Sequence, residues 1–347
     1  MEKSQQKVVL AGCGRMSKKW LAYLSEHAEL EVVGLVDIDV SVAANRARES
    51  GLIVPVFSSL KEAITETKPT LICDITVPEA HSKNAIMAMQ AGCHVFSEKP
   101  MAANFNDACA AAVVASQSGV TYAVMQNRRY LNSVRTVKGI IESGQLGEIG
   151  IVSANFYFGP HFGGFREKML SPLLLDMAIH TFDQARFIIG EDPLSVYCHE
   201  FNPSWSWYAH GSSASAIFEM TNKVVFNYLG SWCVEALQTS NESEWSVVGA
   251  KGTLRWDGKD EYKVELISGD QPVFPAPYTG QSQHYGCLDE MFNSLSLAAQ
   301  PQTVYHDNIK SLSMVFGAKK SALSHTRIDI EDLYANDSGF KRNEANV

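Results

Sequence analysis

The chain has 347 residues, 46% hydrophobic and 19% charged, an ordinary globular composition with room for two domains and a large core. Its 29 Lys+Arg against 38 Asp+Glu give a net charge of -9, and no basic run of five or more interrupts it. That balance argues against nucleic acid and anionic membrane as partners. The N-terminal MEKSQQ lacks an apolar signal core and no 18-residue apolar run occurs, so the expected compartment is the cytoplasm. Seven cysteines (Cys13, Cys73, Cys93, Cys109, Cys198, Cys233, Cys287) are scattered without a C-x-x-C pair, which argues against a zinc site or a disulfide framework.

The chain begins with a short apolar strand, Lys7 to Ala11, running into Gly12-Cys13-Gly14-Arg15-Met16-Ser17. Trp20, Leu21 and Leu24 then recur at helical spacing. Strand, glycine turn and helix form the dinucleotide-binding pattern. Gly12 allows the tight turn, and Gly14 lets backbone approach a pyrophosphate at the helix N-terminus. Ser17 replaces the usual third glycine and is small enough for close helix–strand packing. A second strand, Glu31 to Val36, ends in Asp37-Ile38-Asp39. Asp37 stands where an acidic side chain bonds the adenosine ribose, with capping of the helix near Val42 as the alternative. An acid here repels a 2′-phosphate and no arginine follows at 38 or 39, so NAD is favoured over NADP.

The alternation continues. Leu60–Thr67 reads as helix, Thr70–Val77 as strand, Glu79–Ala91 as helix stopped by Gly92, Asn104–Ser118 as helix stopped by Gly119, and Val120–Met125 as strand. This is a doubly wound parallel sheet, a Rossmann domain over residues 1–125. Between two of its helices lies His94-Val95-Phe96-Ser97-Glu98-Lys99-Pro100. Proline disfavours a helical residue before it, so Lys99 is expected in a turn at the strand's carboxyl end, where ligands bind in open parallel sheets. A lysine there is a proton-transfer candidate, and solvated loop charges are the alternative for Glu98 and Lys99. Thr76-Val77-Pro78-Glu79-Ala80-His81 turns at the same edge; His81 either nears the cofactor or sits on the helix surface.

From residue 126 the pattern changes. After a helix over Asn132–Ser143, strand-like segments dominate: Gly150–Phe158, Leu194–Phe201, Ala214–Met220, Lys223–Leu229, Glu244–Val248, Gly252–Trp256 and Tyr262–Ile267. Turn signals join them, so residues 126–347 are expected to form an α+β domain on a large, mostly antiparallel open sheet. Aromatic strands such as Val224–Tyr228 point to coverage of one face by another subunit, as a homodimer or homotetramer. One helix, Pro172 to Asp183, interrupts the strands and places Asp176 and His180 four apart on one face. The pair can act as an acid/base unit, with Asp176 orienting His180, or be a purely structural pair. With no third ligand apparent, no metal is expected. The loop Gly159–Arg166 offers His161 and Arg166 to substrate hydroxyls or a carboxylate, or serves only as surface. His284-Tyr285 opens a helix that could face the same cleft, and Tyr334 to Val347 reads as a polar tail.

Three elements together resemble the glucose–fructose oxidoreductase / inositol dehydrogenase / rhizopine-catabolism (Gfo/Idh/MocA) family: the Gly12-Cys13-Gly14-Arg15-Met16 start, Glu98-Lys99-Pro100 closing a Rossmann strand, and Asp176-x-x-x-His180. The resemblance implies a catalytic set of Lys99, Asp176 and His180. It places Gly12, Gly14, Arg15, Met16, Asp37, Thr76, Pro78, His81, Glu98, Lys99, Asn127 and Arg128 about the cofactor. It also implies NAD-dependent oxidation of a secondary alcohol on a sugar, polyol or related compound, with either His180 or Lys99 as base. An NAD-binding regulator without turnover, and a glycosidase or lyase using NAD transiently, are the alternatives.

Overall fold

The computed structural model describes residues 5–334. Of the stretch read as a tail, Tyr334 is buried and the remainder lies outside the described residues. Two units are present. One gathers residues up to Gln126 with His284–Ile309, and the other Asn127–Gln283 with Lys310–Tyr334.

In the first unit, β1 (Gln6–Ala11), α1 (Ser17–Ser25), β2 (Leu30–Val36), α2 (Val40–Glu49), β3 (Val56–Phe57), α3 (Leu60–Thr67), β4 (Leu71–Asp74), α4 (Pro78–Gln90), β5 (His94–Ser97), α5 (Phe105–Ser118) and β6 (Tyr122–Val124) alternate. The six strands run parallel in the order β3-β2-β1-β4-β5-β6. This is the strand order of a dinucleotide-binding sheet. Val8, Val9, Leu10, Leu71, Ile72, Val95 and Phe96 are wholly buried, because helices cover both faces of a parallel sheet. Each such side chain contributes roughly 1.5–3 kcal/mol by leaving water. Pro78 opens α4 at a position where a missing N–H costs nothing, and Gly119 ends α5 in a left-handed conformation. The strands expected over Thr70–Val77 and Val120–Met125 are shorter, because Ile75–Val77 and Met125 belong to the turns at the sheet's carboxyl edge.

The second unit holds α6 (Asn132–Glu142), β7 (Ile149–Tyr157), α7 (Phe165–Lys168), a π-helical turn (Leu173–Ala178), α8 (Ile179–Ile189), β8 (Pro193–Phe201), β9 (Ser213–Met220), β10 (Val225–Ser231), β11 (Glu244–Gly249), β12 (Gly252–Trp256) and β13 (Tyr262–Leu266). Of the later elements, α9 (Gln283–Ser296) and the start of α10 (Tyr305–Ser324) fall in the first unit from His284 to Ile309, and the rest of α10, β14 (Ile328–Asp329) and α11 (Glu331–Tyr334) in the second. The eight-stranded sheet has the order β13-β12-β11-β7-β10-β9-β8-β14, antiparallel except between β7 and β10. Alternate residues divide its faces. Val152, Phe156, Phe218, Phe226, Trp245 and Trp256 are buried on one, while Ile151, Tyr197, Ile217, Leu229 and Val248 stand exposed on the other. Lys223, expected in a strand, lies instead in a short 3-10 turn with Asn222 in left-handed backbone.

Residues His284–Ile309 return to the first unit from far along the chain, which a linear division at 125/126 does not assign. Val124 N–H donates to Thr303 O (3.0 Å), and the Tyr23 hydroxyl donates to Asp289 Oδ1 (2.9 Å).

Candidate active site

The carboxyl edge of the parallel sheet collects four turns, after β1, β2, β4 and β5. The first follows β1. Gly12 holds φ +91°, and a Cβ there would meet Ile75 O at 2.4 Å, so only glycine passes so close beside β4. Gly14 is exposed, and a Cβ there would meet nothing within 4 Å. This open cradle at the start of α1 fits a pyrophosphate. Arg15 is exposed and Met16 half-buried beside it. Ser17 is buried and its hydroxyl donates to Gly14 O (2.6 Å), closing the loop in a way that a glycine would not.

Asp37 follows β2. Its Oδ2 accepts the Cys13 N–H (2.9 Å) and its Oδ1 the Asp39 N–H (3.0 Å). Capping of α2 is done by Asp39, which accepts Ser41 N–H (2.9 Å), so the cap reading of Asp37 gives way. Buried Arg46 on α2 locks the same turn, its Nε and Nη2 donating to Cys13 O (both 3.2 Å) and its Nη2 also to Gly14 O (3.1 Å). Nothing in local sequence marks Arg46, since a mid-helix arginine ordinarily faces water.

The turns after β4 and β5 are tied together. Asp74, wholly buried at the end of β4, accepts Thr76 N–H (3.0 Å) and Thr76 Oγ1–H (2.5 Å); burial pushes its pKa up. Pro78 begins α4 just beyond. His81 is 1% exposed, with Nδ1 2.7 Å from Pro100 O and Nε2 3.1 Å from Thr76 O. Both ring nitrogens are engaged, so the helix-surface reading fails, and the ring fastens the Thr76 turn to the Lys99–Pro100 turn, whose peptide is cis.

Glu98 and Lys99 sit in that bend, directly after β5. The Glu98 side chain is 12% exposed, and Trp20 Nε1–H donates to its Oε1 (2.9 Å). Burial raises the Glu98 pKa; the Trp20 hydrogen bond and the Lys99 charge oppose that shift. The solvated-loop reading therefore fails for Glu98, and Lys99 is half-buried. His284, at the start of α9, has Nε2 3.8 Å from Glu98 Oε1 and Nδ1 3.4 Å from Lys19 Nζ. Burial, then the charges of Lys19 and Lys99, push its pKa down to about 4. The ring is thus neutral near pH 7 and forms no ion pair with Glu98.

In the second unit, the stretch read as one helix from Pro172 to Asp183 is a π turn continuing into α8. A π turn inserts a residue into the helical ladder and occurs often at functional sites. Leu173, Leu174, Met177, Ala178 and Ile179 are buried, which leaves Leu175, Asp176 and His180 on the partly open side. Asp176 Oδ2 accepts Arg166 Nε–H at 2.6 Å, so a guanidinium from the preceding loop joins the carboxylate for which the spacing offers only an imidazole. His161 is exposed, stacked on Trp207 (3.8 Å between centroids) and 3.0 Å from Glu235 Oε1.

Asn127 and Arg128 begin a 3-10 turn. Arg128 Nη1 donates to Asn241 O and lies 3.3 Å from Glu242 Oε2, which also accepts Gln184 Nε2–H (2.7 Å). Its guanidinium is thus engaged inside the second unit. Lys99 stands on the first unit and Asp176 and His180 on the second. No group of three His, Cys, Asp or Glu side chains suited to a metal ion occurs among the described residues, and no helix there is long and apolar enough to cross a membrane.

Residues 6–126 match the family model described as "Oxidoreductase family, NAD-binding Rossmann fold", and residues 134–255 match the GFO/IDH/MocA C-terminal domain. The uncharacterized protein y4oX of Sinorhizobium fredii is 25% identical over 94% of this chain and 96% of its own length. Inositol 2-dehydrogenase of Rhizobium meliloti is 22% identical over 92% and 98%. Among solved structures, an oxidoreductase from Agrobacterium radiobacter in complex with NAD+, L-tartaric acid and magnesium aligns with TM-score 0.85 at 19% identity, covering 95% of this chain and 99% of that one.

Proposed function

The chain belongs to the GFO/IDH/MocA oxidoreductase family, and on that footing we propose that it is an NAD-dependent dehydrogenase acting on a secondary alcohol of a sugar, polyol or related polyhydroxy compound. The observation that carries this reading is the shared sheet edge, where the Gly14 cradle, the Asp37 carboxylate and Lys99 follow β1, β2 and β5. A relative named inositol 2-dehydrogenase supports the polyol class.

Bound NAD supplies the acceptor for the hydride that leaves the alcohol carbon. Gly14 would admit its pyrophosphate at the turn that Gly12 allows, and Asp37 would take the ribose hydroxyls. The chain's own chemistry is proton handling. His180 takes the hydroxyl proton on its imidazole, Asp176 orients that ring and supports its cationic form, and Lys99 Nζ bonds the reacting oxygen and favours its alkoxide character. Absorbance of reduced nicotinamide tests this, with NAD offered to aldoses, inositols, sugar acids and deoxy sugars. Turnover with at least one class supports the reading. Tight NAD binding with no reduction across the panel overturns it.

Cofactor choice follows from Asp37, whose fixed carboxylate repels a 2′-phosphate. Wild-type protein is expected to prefer NAD, and Asp37→Ser to lower the NAD:NADP ratio of kcat/KM by at least about 10-fold, the scale of one lost charge-assisted contact. A wild-type preference for NADP would sink this assignment.

The open face of the eight-stranded sheet is read as a contact between copies of the chain, because Ile151 pairs with Val248 and Ile217 with Tyr197 across neighbouring strands there, with Leu229 exposed on the same face. Light scattering should give a dimer or tetramer, and Ile217→Glu should shift it towards monomer. A wild-type monomer at micromolar concentration would refute this.

A further inference from the structure

Arg166 carries a charge that Asp176 only partly occupies. Its Nε donates to Asp176 Oδ2 at 2.6 Å, and the guanidinium lies 5.2 Å from the Phe162 ring centroid and 4.8 Å from that of Phe165. Those contacts set its plane and direction. Its side chain is 30% exposed, and among the described residues no acceptor bonds Nη1 or Nη2. Two acids that contact the same loop are engaged elsewhere in it. Glu167 Oε1 accepts Gly163 N–H (3.0 Å), and Glu235 Oε1 pairs with His161 (3.0 Å).

The loop that bears it is anchored. Ala209 N–H donates to Glu167 O (2.8 Å), the Tyr208 hydroxyl donates to Pro160 O (3.2 Å), and the Tyr208 ring stacks on Trp232 at 5.6 Å. A guanidinium so held, with its Nη1–Nη2 edge open, matches the fork of a carboxylate. Had Asp176 taken two parallel bonds, less of that edge would remain for a ligand.

We propose that Arg166 is a substrate-binding residue and that the substrate class is a sugar acid, a polyhydroxy compound whose carboxylate docks on the open edge of Arg166 beside Asp176. This rests on the dehydrogenase reading above. A singly charged carboxylate fits better than a phosphate dianion, because one guanidinium already shared with an aspartate has little charge left to balance a second negative charge. The molecule's net charge of -9 does not attract acids at long range, so recognition of one falls to such a local cation.

The test compares matched pairs, an aldonate with its alditol and a uronate with its aldose, together with a sugar phosphate, using wild type, Arg166→Gln and Arg166→Lys. In wild type the acid is expected to exceed its neutral partner in kcat/KM by roughly 10- to 100-fold, mainly through KM, the scale of a hydrogen bond to a charged group. Arg166→Gln should bring that ratio near one, and Arg166→Lys should restore part of it. Calorimetric titration of the uronate into protein loaded with NADH reads the same loss without turnover, and Arg166→Lys serves if the glutamine variant does not fold. Equal loss of kcat on acid and neutral members, with the ratio kept, would overturn the proposal in favour of a residue that only positions Asp176. A preference for the sugar phosphate would overturn the carboxylate assignment. Absence of NAD reduction with every compound would count against the dehydrogenase reading itself, whereas turnover of neutral members alone would count against Arg166 only.

Discussion

Lys99→Met is expected to lower kcat by roughly 10²- to 10⁴-fold, the range for removing a positioned proton-transfer or charge-stabilising group. Methionine keeps the length and much of the packing of the half-buried stem but removes the charge. Lys99→Arg separates the two roles. If the ammonium stabilises the alkoxide electrostatically, arginine should retain more activity than methionine; if it exchanges a proton, arginine should be as inactive, because a guanidinium does not deprotonate. A second readout shows that the fold has survived. His284 is pushed down to about 4 by burial and by the charges of Lys19 and Lys99, so loss of one charge should move its NMR titration upward. Unchanged kcat in Lys99→Met would remove Lys99 from the mechanism, whatever the shift of His284.

The sheet edge was legible because local rules mark it. A glycine turn after an apolar strand, an acid closing the next strand and a proline after Lys99 each constrain backbone within a few residues. Long-range ties are another matter. His81 fastens two turns through Pro100 O and Thr76 O, and Trp20 reaches Glu98 across 78 residues. His284 arrives beside Glu98 from the far part of the chain. None of these has a periodic or compositional signature, since each depends on which segments the tertiary fold places together. The π turn under Asp176 was invisible for a related reason. The i, i+4 spacing of Asp176 and His180 is the same whether the backbone winds as α or π, and the buried apolar residues around them, Leu173, Leu174, Met177, Ala178 and Ile179, suit either winding. Arg166 was legible as a candidate, whereas its bond to Asp176 was not.

Arg129 and Asp183 set the stability of the second unit, and their separation should be costly. Arg129 Nε and Nη2 donate to the two Asp183 oxygens at 2.8 and 2.5 Å, with side chains only 4% and 2% exposed. Ser311 Oγ–H also donates to Asp183 Oδ1 (2.7 Å) and accepts Arg186 Nη1–H (2.9 Å), while Arg186 and Lys310 both pair with Asp192. The 3-10 turn after residue 126, α8 and α10 are thereby pinned through one buried carboxylate. Arg129→Met leaves that carboxylate uncompensated and is expected to destabilise the unit by about 3–5 kcal/mol. Replacing both partners, Arg129→Met with Asp183→Leu, removes the buried charge and should recover most of the loss. Ser311 then lacks one acceptor, so a deficit of about 1 kcal/mol should remain. Urea unfolding followed by tryptophan fluorescence reads this unit, because of the six tryptophans only Trp20 lies outside it. The comparison rests on the midpoint of that transition, since a chain of two units need not unfold in one step. A double variant as unstable as Arg129→Met would show that the pair's geometry, rather than relief of a buried charge, holds these helices in place.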